Sequence, residues 1–278
     1  MPTMPSTPQT DALDGPPPGS SAYYALQRCP VPQRPGLAAL LRFHVQVRSI
    51  VTSVSDLSVA QAKLAWWSAQ VDAMAHGQAE HPTLRALAPA LQASGLPAQA
   101  LRGVIDSVRI DLQQNRWIDR PALLHYARMG SGQTLRNAAV LLGLDAPAAQ
   151  ANAEELGVGL RLASGIRHLG RDAVHGRIYL PLDAMQRHGV SAAQLQQRRM
   201  DGAVAALLAE QTALARQTLE QALAGLAPFA RGQTAPLRAL GAMTLALLRE
   251  IERSDYAVLH QRISLTPLRK LWISRICR

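Results

Sequence analysis

The stretch Pro35-Gly36-Leu37-Ala38-Ala39-Leu40-Leu41-Arg42-Phe43-His44-Val45-Gln46-Val47-Arg48-Ser49-Ile50-Val51-Thr52-Ser53-Val54 decides the fold class. Leu37, Leu40, Leu41, His44, Val47, Val51 and Val54 recur at three- and four-residue steps, the spacing of one face of a long α-helix. The same period runs on downstream. Asp56 or Ser58 caps the next predicted helix, which carries Leu64, Trp67, Val71 and Met74 and stops at Gly77. Pro82 and Pro97 open two more, the second carrying Leu101, Val104, Ile105, Val108, Ile110 and Leu112. Asp119 and Pro121 begin one that closes near Gly143. Others are expected at about 147–168, 191–226 and 234–252, with a short one after Pro267. Arg177-Ile178-Tyr179-Leu180 is the sole β-like run, and Pro181 ends it with no partner strand in view. The expected fold is all-α, in one domain over residues 20–278.

The rest of the chain sets the boundaries of that reading. Its 278 residues can bury a sizeable core. No apolar run reaches the length of a membrane-spanning helix. Half of the 18 prolines fall in the first 35 residues. Residues 1–19 have no apolar period and no secretory-signal pattern, so they are expected to form a disordered Pro-rich tail. No repeat of fixed period is visible. The two cysteines, Cys29 and Cys277, exclude a disulfide scaffold and a thiolate zinc site, and they suit a reducing, cytoplasmic compartment. The net charge of +10 comes almost wholly from arginine, dispersed along the chain with few aromatics between. A nucleic-acid partner is therefore not expected, whereas a generally anion-tolerant surface is.

The segment Ser164-Gly165-Ile166-Arg167-His168-Leu169-Gly170-Arg171-Asp172, followed by Gly176-Arg177-Ile178-Tyr179-Leu180-Pro181, resembles the squalene/phytoene synthase family. That family carries a motif of the form N-I-L-R-D-x-x-E-D and then G-R-x-Y-L-P, at the same spacing. Ser21–Ala25, Ala62–Trp67, His81-Pro82, Asp106 through Asp111-Leu112 and Ile263–Leu271 agree in order, so the likeness covers about residues 20–275. It implies an isoprenoid-synthase-type helical bundle around a central cavity. It also implies head-to-head joining of two prenyl diphosphates, with Mg²⁺ held by two acidic motifs.

Here those motifs are degenerate. The first, D-D-x-x-D, falls on Arg48, Ser49, Ile50, Val51 and Thr52, so all three acids are gone. In the second, His168 and Arg171 replace two acids, Ser164 replaces the asparagine, and Asp172 alone remains. Mg²⁺ held beside Arg48 and Arg171 would meet like-charge repulsion with almost no ligand set to offset it. The run Tyr126-Ala127-Arg128-Met129-Gly130-Ser131 and the pieces Leu180–Met185 and His188–Ser191 are similar to the non-catalytic complex I assembly-factor branch. No catalytic residue, metal site or cofactor is therefore expected, and Mg²⁺ enters only if the chain is an active transferase.

The expected role is isoprenoid or acidic-lipid binding, or assembly with a protein partner of the respiratory chain. The alternative is an active squalene- or phytoene-forming prenyltransferase. Candidate substrate contacts implied by the matching positions are Tyr23, Tyr24, His44, Arg48, Arg167, Arg171, Arg177 and Tyr179. Several carry a second reading. Tyr23 and Tyr24 are equally core aromatics, and His44, Arg48 and Thr52 share one helix face that is either cavity lining or a solvated stripe. His168 and Asp172, four apart, suit a hydrogen-bonded pair better than a metal site, which needs more ligands. Trp66 and Trp67 read as packing residues, while His76 and His81 have no ligand spacing. Leu265–Arg278 is either a basic amphipathic helix on the inner face of a membrane or a final helix docked on the domain.

Overall fold

The computed structural model describes residues 16–276. Most of the expected disordered tail, and Cys277, lie outside the described residues. Among these residues no strand forms and the chain is helical nearly throughout. Short α1 (Ser21–Leu26) leads into α2 (Arg34–Ser53), whose Pro35 sits in the first turn, where its missing N–H has no acceptor to lose. Asp56 caps α3 (Leu57–Ala75) by accepting from Ser58 N at 2.7 Å and Val59 N at 3.3 Å. His81 caps α4 (Pro82–Ser94) through Nδ1, which accepts from Thr83 N at 3.1 Å. Trp67 is buried beneath α3, but Trp66 is 45% exposed and only half a packing residue.

The predicted helix after Pro97 begins as a 3-10 turn and becomes α5 (Arg102–Gln113). The expected helix from Asp119 to Gly143 is present but interrupted. It runs as α6 (Arg120–Ala127), a π turn over Arg128–Gly132, and α7 (Gln133–Leu141). The interruption follows from packing: α8 (Pro147–Arg167) crosses so closely that a Cβ on Gly157 would overlap the Ser131 carbonyl. The backbone of this turn therefore sits directly against the central helix.

One expected helix divides. The predicted helix over 191–226 is two, α11 (Ala192–Gln196) and α12 (Gly202–Leu226). Between them Arg198 takes a left-handed backbone (φ 55°), and the Asp201 carboxylate caps α12 by accepting from Val204 N at 2.9 Å. The helix expected at about 147–168 is α8, which ends at Arg167, so the second motif divides at His168 and α9 (Leu169–Val174) starts beyond it. The β-like run 177–180 is extended but joins no sheet. It leans on 115–118 through Ile178 N to Asn115 O (3.2 Å) and Leu182 N to Trp117 O (2.8 Å), then enters α10 (Leu182–Arg187).

α8 packs against α7, α12 and α13 (Arg231–Arg253), while α2 packs against α4 and α5. One continuous core results, with Phe43, Trp117 and Tyr126 among its largest fully buried side chains. Cys29 is buried in it, and that burial pushes its thiol up to about 11, so it offers no reactive thiolate at neutral pH. α14 (Pro267–Ile276) docks on α1 and α13 with Ile273 inside. No helix of the described residues is long and apolar enough to cross a membrane.

Candidate functional site

α2, α7, α8 and α9 enclose a cavity of about 520 Å³. The 44/48/52 stripe of α2 is cavity lining rather than a solvated face: His44, Arg48, Ser49 and Thr52 all border it. α8 adds Leu160, Arg161 and Ser164, with His168 just past its end. Arg171 and Asp172 come from α9, and Arg177 and Tyr179 from the extended run. Leu41, Val45, Val51, Leu135 and Leu240 form an apolar wall, extended by Ala22 and by Pro16 and Pro17. The cavity is thus two-sided in chemistry, with guanidinium groups on one part and hydrocarbon on the rest.

The cationic part rests on one carboxylate. Asp111 of α5 is 1% exposed and lies beneath the wall. Its Oδ2 accepts from Tyr126 Oη at 2.5 Å, Tyr179 Oη at 3.0 Å and Arg48 Nη2 at 3.5 Å. Its Oδ1 accepts from Tyr179 Oη at 2.9 Å and Arg177 Nη1 at 3.1 Å. Tyr126 Oη in turn accepts from Arg48 Nη1 at 2.8 Å and Arg161 Nη2 at 3.2 Å. Trp117, Tyr126 and Tyr179 lie nearly parallel, and the Arg161 guanidinium sits 4.0 Å over the Tyr179 ring. Two arginines thus pair with a single acid, and a third, Arg161, reaches it through the Tyr126 hydroxyl. Arg161 is only 7% exposed, and its Nε has no hydrogen-bond partner in the protein.

Burial is the largest influence on each shifted group of the site, and neighbouring charges add to it or oppose it. Burial, then Arg48 and Arg161, lowers His44 to about 3, so it is neutral at physiological pH. His44 Nδ1 lies 2.8 Å from Thr134 Oγ1, whose hydroxyl donates to Gly130 O at 2.9 Å. Burial and the cations Arg171, Arg167 and Arg262 lower His168 to about 4. Burial alone would lower Arg48, but Tyr126 and Asp111 hold it above the usual arginine value, so it stays charged. Burial, then Tyr126 and Asp111, pushes the Tyr179 phenol well up.

The site residues expected from sequence separate into groups. His44, Arg48, Ser49, Thr52, His168, Arg171, Asp172, Arg177 and Tyr179 come together on the cavity. Tyr23 and Tyr24 do not: Tyr24 is core, and the two rings pack edge to face at 5.3 Å. Arg167 points elsewhere, donating from Nε to Ile263 O at 2.8 Å. It lines a smaller cavity of about 280 Å³ with Arg198, His260 and Arg262, which shares His168 and Arg171 with the first. The expected His168–Asp172 pair is replaced by others. His168 Nδ1 lies 3.3 Å from Ser164 Oγ, and Asp172 Oδ1 accepts from Arg171 Nε at 2.8 Å.

Asp111, Tyr126 and Arg161 were not among the expected site residues. Asp111 falls in register with Val104 and Val108 on the buried face of α5, and Arg161 shares a face with Gly157, Ser164 and His168. A charge on an apolar face needs a buried partner, and that was the available signal.

A model of the squalene/phytoene synthase family matches residues 16–269. The chain belongs to the squalene/phytoene synthase family. Among curated relatives it is 31% identical over 206 residues to a phytoene synthase of Thermus thermophilus, covering 74% of this chain and 70% of that protein. It is 25% identical to a phytoene synthase of Arthrospira platensis, covering 90% and 85% of the two chains. A crystal structure of a dehydrosqualene synthase superposes with a TM-score of 0.76 at 21% identity, covering 92% and 89%. The squalene synthase HpnC of Alicyclobacillus acidocaldarius superposes with a TM-score of 0.67 at 18% identity, covering 84% and 98%. The fold is that of these helical synthases.

The family implies Mg²⁺, and the donor set present does not fit it. Hard Mg²⁺ requires several free oxygen ligands in near-octahedral array. Asp172 is held by Arg171, and Asp111 is taken up by Tyr126, Tyr179, Arg177 and Arg48. Among the described residues no group of three or more His, Cys, Asp or Glu is placed to share a metal ion. What the wall offers is guanidinium, which pairs with carboxylate or phosphate oxygens directly.

Proposed function

We propose that this member of the squalene/phytoene synthase family binds a prenyl diphosphate or another acidic lipid without Mg²⁺ and does not turn it over. The observation that carries this is the position of Arg48 and Arg171 on the cavity, at places where the family motif has acids, with Arg161 and Arg177 beside them. Their planar forks suit a phosphate head group, and the apolar wall of Leu41, Val45, Leu135 and Leu240 suits a hydrocarbon tail. Binding of this kind holds the ground state as firmly as any transition state. It therefore gives the allylic carbon–oxygen bond no help in breaking.

Calorimetry with farnesyl diphosphate in excess chelator is the direct test, with Arg48→Asp/Arg171→Glu as the matched variant. Metal-free binding that weakens in the variant is the expected result. No binding, or equal binding by the variant, refutes the reading.

One observation favours a second reading, an active head-to-head prenyltransferase: the relatives at 25–31% identity are phytoene synthases. Squalene, phytoene or a cyclopropyl intermediate formed from prenyl diphosphates and Mg²⁺ establishes that reading and ends the first. An assembly role with a respiratory protein partner draws on the same loss of acids. Failure of every small ligand to bind would point there.

A further inference from the structure

The described chain carries no Asp or Glu from Ala257 through Ile276. Within that span Ile273 and Leu265 are buried and Leu271 packs on the core, so α14 is seated on the domain. A second apolar stripe is left outside. Leu268, Trp272 and Ile276, four residues apart on one face, are 79%, 62% and 49% exposed. Docking of the helix on the domain thus accounts for one face and leaves the other unexplained.

Arg269 and Arg275 fall beside that stripe on the helix, and further cations lie behind it. Arg269 pairs with Glu250 at 2.6 Å, whereas exposed Arg262 and Arg275 pair with no acidic side chain among the described residues. Lys270 lies close enough to Arg167 and Arg262 for their charges to lower its affinity for a proton, after burial has done so. The basic surface continues into the smaller cavity lined by Arg167, Arg198 and Arg262. Lys270 Nζ also donates to Gly19 O at 2.7 Å, tying α14 to the segment whose Pro16 and Pro17 border the main cavity.

We propose that the exposed face of α14 docks on an anionic lipid bilayer, with Leu268, Trp272 and Ile276 entering the interface and Arg262 and Arg275 lying over acidic head groups. An indole among aliphatic side chains with flanking cations is the composition of an interfacial helix. A second copy of this chain is the poorer occupant, because a two-fold interface would bring the cations of both copies into one seam, with no Asp or Glu from Ala257 through Ile276 to offset them. The proposal stands independently of whether the cavity turns its ligand over. It places the cavity rim beside a bilayer.

The test uses the full chain and sedimentation with vesicles of phosphatidylcholine alone or with phosphatidylglycerol. Binding is expected only to the acidic vesicles and is expected to fall as salt rises from about 0.1 M to about 0.5 M. Leu268→Glu/Trp272→Glu should weaken it at least about tenfold, and Arg262→Gln/Arg275→Gln about thirtyfold, from the contribution of each basic side chain near an acidic surface. Both pairs are exposed, so unchanged circular dichroism is expected. Trp66→Glu, on α3, should bind as wild type does. No binding to acidic vesicles, binding indifferent to lipid charge, or wild-type binding by either variant overturns the proposal. So does a lipid-free dimer that Leu268→Glu/Trp272→Glu dissolves, which would assign the face to a second copy.

Discussion

Replacing Asp111 by Asn tests whether one carboxylate organises the cationic wall. The side chain is 1% exposed and accepts from two phenols and two guanidinium groups, both oxygens being used. An amide of the same shape has one acceptor oxygen and one donor NH₂. In one orientation the NH₂ faces Arg177 and Tyr179, and in the other it faces Tyr126, Tyr179 and Arg48. Donor meets donor either way, and buried cations lose their counter-charge. Removing one partner of a buried ion pair costs about 3–5 kcal/mol. At about 2–4 °C per kcal/mol for a domain approaching this size, the melting temperature should fall by about 6–20 °C.

Thermal unfolding followed by circular dichroism reads this directly. Asp106→Asn is the control, since Asp106 pairs with Arg109 on the surface five residues earlier in the same helix. It should change stability by less than about 0.5 kcal/mol. A drop of under about 2 °C for Asp111→Asn, or equal drops for both variants, would refute the reasoning about charge compensation.

Three other outcomes are expected. His44 and His168 are lowered to about 3 and about 4 by burial and neighbouring arginines, so between those values and 6.5 the unfolded chain binds more protons than the folded one. Their contribution is complete above 6.5 and is lost as pH falls toward 4 and then 3; the pH dependence of melting over that window should flatten in His44→Gln/His168→Gln. Gly157→Ala should destabilise by about 1–3 kcal/mol through overpacking against Ser131, and should weaken cavity-ligand binding in calorimetry because Ser131 borders the cavity. Millimolar Mg²⁺ should leave the melting temperature unchanged, whereas a metal present at 100 times its Kd would add about 2.7 kcal/mol.

The helical class was legible in residues 37–54 because a buried helix face repeats its apolar side chains every 3.6 residues, a strictly local signal. The motif positions at 48–52 and 164–181 were legible for a related reason, since their spacing belongs to two continuous segments. The breaks were less so. At 198–201 the helical period of 191–226 masked the Asp201 cap, and at 128–132 nothing local announced that α8 would press on the turn.

The site divides along the same line. Sequence alone showed that Arg48, Ser49, Thr52, His168 and Arg171 stand where the resembled family has acids, so the loss of carboxylates at those positions was legible before any geometry. Only the tertiary structure decided which groups share that wall. Arg161 and Asp111 are 50 residues apart in the chain, and they meet through Tyr126 because α5, α6 and α8 converge there. Tyr23 and Tyr24 follow cavity-lining Ala22, yet Tyr24 is buried in the core and Tyr23 packs, partly buried, against it. A side chain's residue type fixes what it can bind. The packing of helices distant in sequence fixes what it actually faces, and no local pattern encodes that direction.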